Sequence, residues 1–193
     1  MTSDVRTETD AELIRRSLED AERFALLYDR HHAAIHRYVA RRLGMDLADD
    51  LMAETFLIAF RKRDRYDLSR PDALPWLFGI ATNLVRKHRR GEVAFWRLIA
   101  RTGVDPAAEA PVEQVLDRVE AQSARQRLAA ALAKLPRGQR DVLLLTAAGG
   151  LSPQQIAAAL GIATGTAHSR LNRARTKMRR AMSEFDPREE SQR

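Results

Sequence analysis

Apolar residues recur at three- and four-residue intervals along almost the whole chain. That spacing places them on one face of an α-helix. A short helix is predicted at 11–18 and a long one at 21–43, stopped at Gly44. A third runs from about Leu47 to Arg63, with Met52, Phe56 and Ala59 on one face. After the polar stretch DLSRPDAL, a fourth runs from about Pro75 to Arg90. There is no apolar–polar alternation and no Asn-Gly hairpin signal, so no strand is predicted. Between 92 and 122 the periodicity breaks. Gly103, Pro106, Pro111 and scattered alanines and acids read as a linker, with one helical turn around Phe95–Ile99. Helical spacing resumes at 123–135 through Leu128, Leu132 and Leu135, ends at Pro136, and returns at 139–148 before Gly149-Gly150.

The segment 152–182 carries the sharpest local signals. Ser152 is an N-cap, Pro153 suits the first helical position, and Gln155 completes a capping box. Gly161 can end that helix in the left-handed conformation. Thr164 caps the next helix, whose inner face is Ala167, Leu171, Ala174 and Met178. Its outer face carries Thr166, Ser169, Arg170, Arg173 and Lys177. From Gly161 to Met182 there are six Lys/Arg and no acid. Two short helices about a tight turn, the second cationic on its free side, make a helix-turn-helix suited to a DNA major groove.

The stretch PWLFGIATNLVRKHRR is the second basic element. Trp76, Ile80 and Leu84 form an apolar row, widened by Leu77 and Ala81. Gly79, Asn83, Arg86, Lys87 and Arg90 share the opposite side. That side offers a small residue for close approach, an amide for base edges and cations for phosphates. Two such elements in tandem suggest contact with two separated DNA segments.

Composition supports a polyanionic partner and excludes other classes. The 193 residues carry a net charge of +7. The charge is uneven: nine bases against three acids at 61–91, and six acids against three bases at 92–122. No cysteine is present, so there is no disulfide, thiolate nucleophile or cysteine-ligated zinc. There is no membrane-spanning run and no signal-peptide core, so a cytoplasmic location without membrane insertion is expected. His31, His32 and His36 are close in sequence but lack a third ligand, so no metal is expected. No nucleophile motif or phosphate loop is present, and neither enzymatic activity nor a cofactor is expected. No coiled-coil seam or dimer helix is visible, so the free chain is expected to be a monomer.

From about Phe24 to Met182 the chain resembles the extracytoplasmic-function group of bacterial sigma-70-family sigma factors. The ordered segments carry the resemblance: FALLYDRHHAAIHRYVARRLG, ADDLMAETFLIAF, LPWLFGIATNLVRKHRR, then LAAALAKLPRGQRDVLLL and the helix-turn-helix. Ala53 departs from the family's frequent Gln, Gln155 from its usual Glu and His168 from its usual Lys. The resemblance implies an all-α fold of two small helical domains. Residues 1–91 would form a region 2-like domain, 92–122 an acidic linker, 123–185 a region 4-like domain and 186–193 a polar tail. It implies core RNA polymerase as partner, at its clamp and flap regions, with docking through Asp50, Leu51, Glu54 and Phe56. It implies promoter DNA as the second partner. The −10 element would be held by the loop Asp67–Leu74, with Arg70 and Asp72, and by Asn83, Arg86, Lys87 and Arg90. The −35 element would be read by Thr164, Thr166, His168, Ser169, Arg170, Arg173 and Lys177. An anti-sigma factor is the further partner it implies. The competing reading is a stand-alone helix-turn-helix regulator that binds duplex DNA without polymerase.

Overall fold

A computed structural model of the chain describes residues 8–104 and 115–183. The expected polar tail at 186–193 lies outside them. Within them the helices are α1 (Asp10–Ser17), α2 (Phe24–Leu43), α3 (Ala48–Arg61), α4 (Leu74–Lys87), α5 (Arg89–Thr102), α6 (Val115–Lys134), α7 (Arg137–Ala147), α8 (Pro153–Leu160) and α9 (Thr164–Ser183). Most of the punctuation works as local chemistry requires. The Thr9 hydroxyl accepts from the Glu12 N–H and caps α1. Ser152 and Gln155 form both bonds of the capping box. Gly161 ends α8 at φ 63°, a conformation that costs glycine little and a side chain more.

The stretch 92–122 differs from the expected linker. Instead of one helical turn, α5 extends from Arg89 to Thr102, and α6 begins at Val115. The reason is packing. Phe95 lies against the turn at Gly44, and Trp96 and Ile99 are buried. Gln122 and Gln126 of α6 donate to the carbonyls of Thr102 and Arg101, satisfying the C-terminal end of α5. Leu132 and Leu135 are buried as expected, but Leu128 is exposed and Ala129 faces inward in its place.

Helices α1–α5 pack around Leu27, Ile35, Tyr38 and Val39 of α2, with Met52, Phe56 and Ala59 of α3 and Leu77, Phe78, Ala81 and Val85 of α4. Helices α7–α9 close around Val142, Leu145, Ile156, Ala167, Leu171 and Ala174. These two cores are continuous. Helix α6 runs along α5, and α8 lies across α4. Gly79 makes that crossing close. A Cβ there would run into the Ala159 carbonyl oxygen, so only glycine lets the two helices approach this far.

Candidate nucleic-acid and polymerase interfaces

The inner stripe of α9 is buried as its spacing predicts, through Ala167, Leu171, Ala174 and Met178. This turns Thr164, His168, Arg173 and Lys177 outward, all exposed, beside half-buried Thr166 and Ser169. Two members behave differently from a free reading face. The Ser169 hydroxyl donates to the Thr166 carbonyl at 3.1 Å. The Arg170 guanidinium lies over Gly138 at the start of α7, where a Cβ would stand 3.0 Å from Nη1.

On α3, Asp50 is exposed and Glu54 half-exposed, one turn apart. Leu51 and Phe56, placed with them from the sequence, are buried in the core at 4% and 5% exposure. The helix turns them inward, and Phe56 meets Tyr28 edge to face at 4.9 Å. They set the position of α3 rather than touch a docked surface. Glu54 faces Lys87 of α4 at 3.9 Å, a long contact between solvated groups that contributes little to stability.

The α4 face is only partly open. Asn83 and Lys87 are exposed, but Gly79 is covered by α8. Arg90, expected on the same helix, is exposed on α5 because α4 ends at Lys87. Beneath the crossing lies a cleft of about 750 Å³. The loop residues Arg70 and Asp72 line it with Tyr66, Trp76 and Asn83, and Gln154 and Gln155 of α8 close it. Trp76 is half-buried, stacked at a tilt on Tyr66 with 5.0 Å between ring centres. Of the predicted apolar row, Leu77, Ala81 and Leu84 are buried while Trp76 and Ile80 are only partly so; Phe78 and Val85 complete the inward side of α4. Tyr66 carried no signal of its own, and only its position before the loop could have marked it.

Arg86 does not point to solvent. Its Nε donates to Asp141 Oδ2 of α7 at 3.0 Å, and Nη1 donates to Asn83 Oδ1 at 3.0 Å. Asp141 is fully buried, and its other oxygen accepts from Arg42 Nη2 of α2 at 2.6 Å. Arg42 also donates to Glu92 of α5 at 2.7 Å and to the Tyr38 hydroxyl at 2.6 Å. Burial by itself would lower the Arg42 pKa; Tyr38, Glu92 and Asp141 outweigh it and hold the guanidinium charged. Glu92 reaches on to Arg140 at 3.0 Å, whose remaining donors bind the carbonyls of Leu132, Ala133 and Leu135 at the end of α6. Three arginines and two acids thus bridge α2, α4 and α5 to α7. None of the four buried members was legible in the sequence, because each lies on a helix whose register alone does not reveal its partner.

The three histidines find ordinary partners. His32 bonds the carbonyls of its own preceding turn, and His36 faces Asp49 at 3.4 Å. His31 Nε2 meets Asp10 Oδ2 at 2.7 Å. Asp10, His31 and Asp72 could each offer an atom to a metal. However, both Asp10 oxygens are engaged, by Arg30, His31 and the Ala73 N–H. Among the described residues no helix is long and apolar enough to cross a membrane.

Comparison with known proteins gives this arrangement its context. Residues 27–94 match the family model for Sigma-70 region 2, and residues 125–178 the model for Sigma-70, region 4. The chain is 35% identical over 161 residues to the ECF RNA polymerase sigma factor SigL of Mycobacterium tuberculosis, covering 82% of this chain and 88% of that protein. It is 34% identical over 166 residues to the RNA polymerase sigma factor CnrH of Cupriavidus metallidurans, covering 80% and 84%. The solved structure of CnrH in complex with the cytosolic domain of CnrY superposes with a TM-score of 0.65 at 27% identity, covering 92% of this chain and 99% of that one. The sigma factor RpoE of Bartonella quintana, bound to the anti-sigma factor NepR, gives 0.58 at 25% identity, covering 83% and 96%.

Proposed function

Since the chain belongs to the extracytoplasmic-function sigma factors of the sigma-70 family, we infer that it carries core RNA polymerase to promoters by holding two DNA elements on two helical halves. The observation that carries this is the pair of cation-bearing helices, α4 and α9, each presenting polar side chains opposite a buried stripe. Helix α9 reads the −35 duplex from its exposed side, where Arg173 and Lys177 are free to approach phosphates and base edges. The loop after Tyr66 and the outer side of α4 hold unstacked −10 bases. Tyr66 and Trp76 supply aromatic surface beside Arg70 and Asn83, the combination that single strands require. Residues Asp50 and Glu54 dock on the polymerase. No step involves bond chemistry by this chain.

The free chain is in a closed state. Helix α8 covers Gly79, and Asp141 holds Arg86 as a phosphate would. Engagement of both DNA elements parts the halves. That parting returns buried charges to water, which offsets much of the lost Coulomb attraction. An anti-sigma factor is a further partner of the chain, a reading supported by the complexes of CnrH with CnrY and RpoE with NepR. A stand-alone duplex-binding regulator is not favoured, because region 2 and region 4 of Sigma-70 both match and the similar curated proteins are RNA polymerase sigma factors.

One experiment separates the two elements. With Asn83→Ala, holoenzyme should still form and bind the −35 duplex, while permanganate reactivity of −10 thymines falls. With Arg173→Ala, binding to the −35 duplex should weaken by about 1–3 kcal/mol if the side chain makes a bidentate base contact. Normal thymine reactivity with Asn83→Ala would remove that residue from strand capture.

A further inference from the structure

The loop between α3 and α4 has an unusual division of labour. Its side chains are exposed and bond only within the loop and to the start of α4. Ser69 and Arg70 donate to Asp67, and the Leu74 N–H donates to Asp72. Its backbone is held by Tyr66 and α1. Asp67, Leu68, Ser69, Arg70 and Asp72 are all exposed. The backbone of 70–73 is held at several points. The Tyr66 hydroxyl donates to the Arg70 carbonyl at 2.8 Å and the Asp72 carbonyl at 3.1 Å. The Pro71 carbonyl accepts from the Asp10 N–H at 3.0 Å. The Ala73 N–H donates to Asp10 Oδ2 at 2.9 Å.

Half of that clamp comes from α1, which lies outside the segment matched as region 2. Asp10 is 4% exposed and sits at the first position of α1. Its carboxylate is in turn held by Arg30 and by His31 of α2. Burial alone would raise its pKa; the bonds from His31 and Ala73, the His31 charge and the Arg30 bond together bring it below the ordinary value. A carboxyl lowered in this way stabilises the fold above its unfolded pKa and loses that contribution only as pH falls through the lower folded value, so at neutral pH the clamp is intact. Helix α1 itself is fastened independently, by Leu13 and Ile14, both fully buried.

We propose that Asp10 is a positioning residue for −10 recognition: from α1 it fixes the Pro71–Ala73 backbone, so that the side chains of the loop meet an unstacked base in one geometry. The proposal rests on the reading above that this loop takes a −10 base. Selectivity between bases depends on placement to a fraction of an ångström, whereas general binding does not. Loosening the backbone should therefore compress the discrimination between bases without abolishing holoenzyme formation.

The test uses full-length protein with matched core polymerase. Transcription is measured on a promoter that the wild type uses and on a panel of its single-base −10 variants. The readout is the ratio between the parent promoter and each variant. Asp10→Ala should lower that ratio by about tenfold at the base facing the loop, the scale of one lost base contact, with core affinity unchanged. Asp10→Asn, whose amide oxygen can still accept from Ala73, should recover much of it. Arg70→Ala and Asp72→Ala report on the loop itself. If they change the ratios and Asp10→Ala does not, the positioning role is overturned. If neither they nor Asp10→Ala changes any ratio, the loop is not the reader and the proposal falls with that reading. A uniform loss on every promoter with Asp10→Ala would mark a purely structural role and also overturn it.

Discussion

Asp141→Ala should part the two halves of the free protein while leaving each half folded. Both oxygens of Asp141 are committed across the divide, to Arg42 and to Arg86. Neither takes part in a described bond within its own half, so the loss falls on the closed arrangement alone. Removing one partner of a buried ion pair costs about 3–5 kcal/mol, because a charge is left buried without compensation. Arg42 keeps Glu92 and Tyr38, which puts the effect at the lower end, near 3 kcal/mol or roughly a hundredfold in the closed-to-open ratio. The absence of cysteine makes the measurement direct. Cysteines introduced at exposed Glu19 and Thr176 can carry a dye pair, and energy transfer should fall in the variant. Unchanged transfer with unchanged hydrogen-exchange protection of α4 would mean that the apolar crossing of α4 and α8 suffices and that the charges are incidental.

Glu54→Arg should weaken binding to core polymerase by about a hundredfold and leave the fold intact. The side chain is half-exposed and its only described partner, Lys87, is 3.9 Å away, so little structure depends on it. A reversed charge at a docking surface places like charges together, which costs several kcal/mol. Salt should diminish the difference between variant and wild type, since exposed charges are screened. Competition against a labelled sigma factor for core enzyme, at two salt concentrations, gives both numbers. Circular dichroism checks the fold. Equal affinity at low salt would remove Glu54 from the docking surface. The buried neighbours Leu51 and Phe56 would not serve for this test, because changing them disturbs the core that sets α3.

The helices were legible because helix periodicity, caps and breakers are local. Ser152, Gln155 and Gly161 define their turn within a dozen residues, and the α9 stripe is buried as its spacing requires, although Thr164 is the first residue of α9 rather than its cap. What was not legible depended on distant partners. The break in pattern after Arg90 hid α5, which forms because Phe95 finds Gly44 and Trp96 finds the core. Leu51 and Phe56 fit a docking motif by sequence, yet the same motif must also hold its helix in place, and burial separates the two roles. The ion network could not be read at all. Arg42 and Asp141 are 99 residues apart, and each looks in sequence like an ordinary solvated charge. Arg86 was legible as a cation on the right face but not as one already paired.

The central claim is that this chain directs core polymerase to promoters through two separated DNA elements. Transcription in vitro with matched core enzyme on fragmented genomic DNA, with and without the protein, tests it most directly when RNA 5′ ends are sequenced. The account predicts new start sites that share two upstream elements at constant spacing. No new start sites, with the protein folded and the core active with another sigma factor, would contradict it.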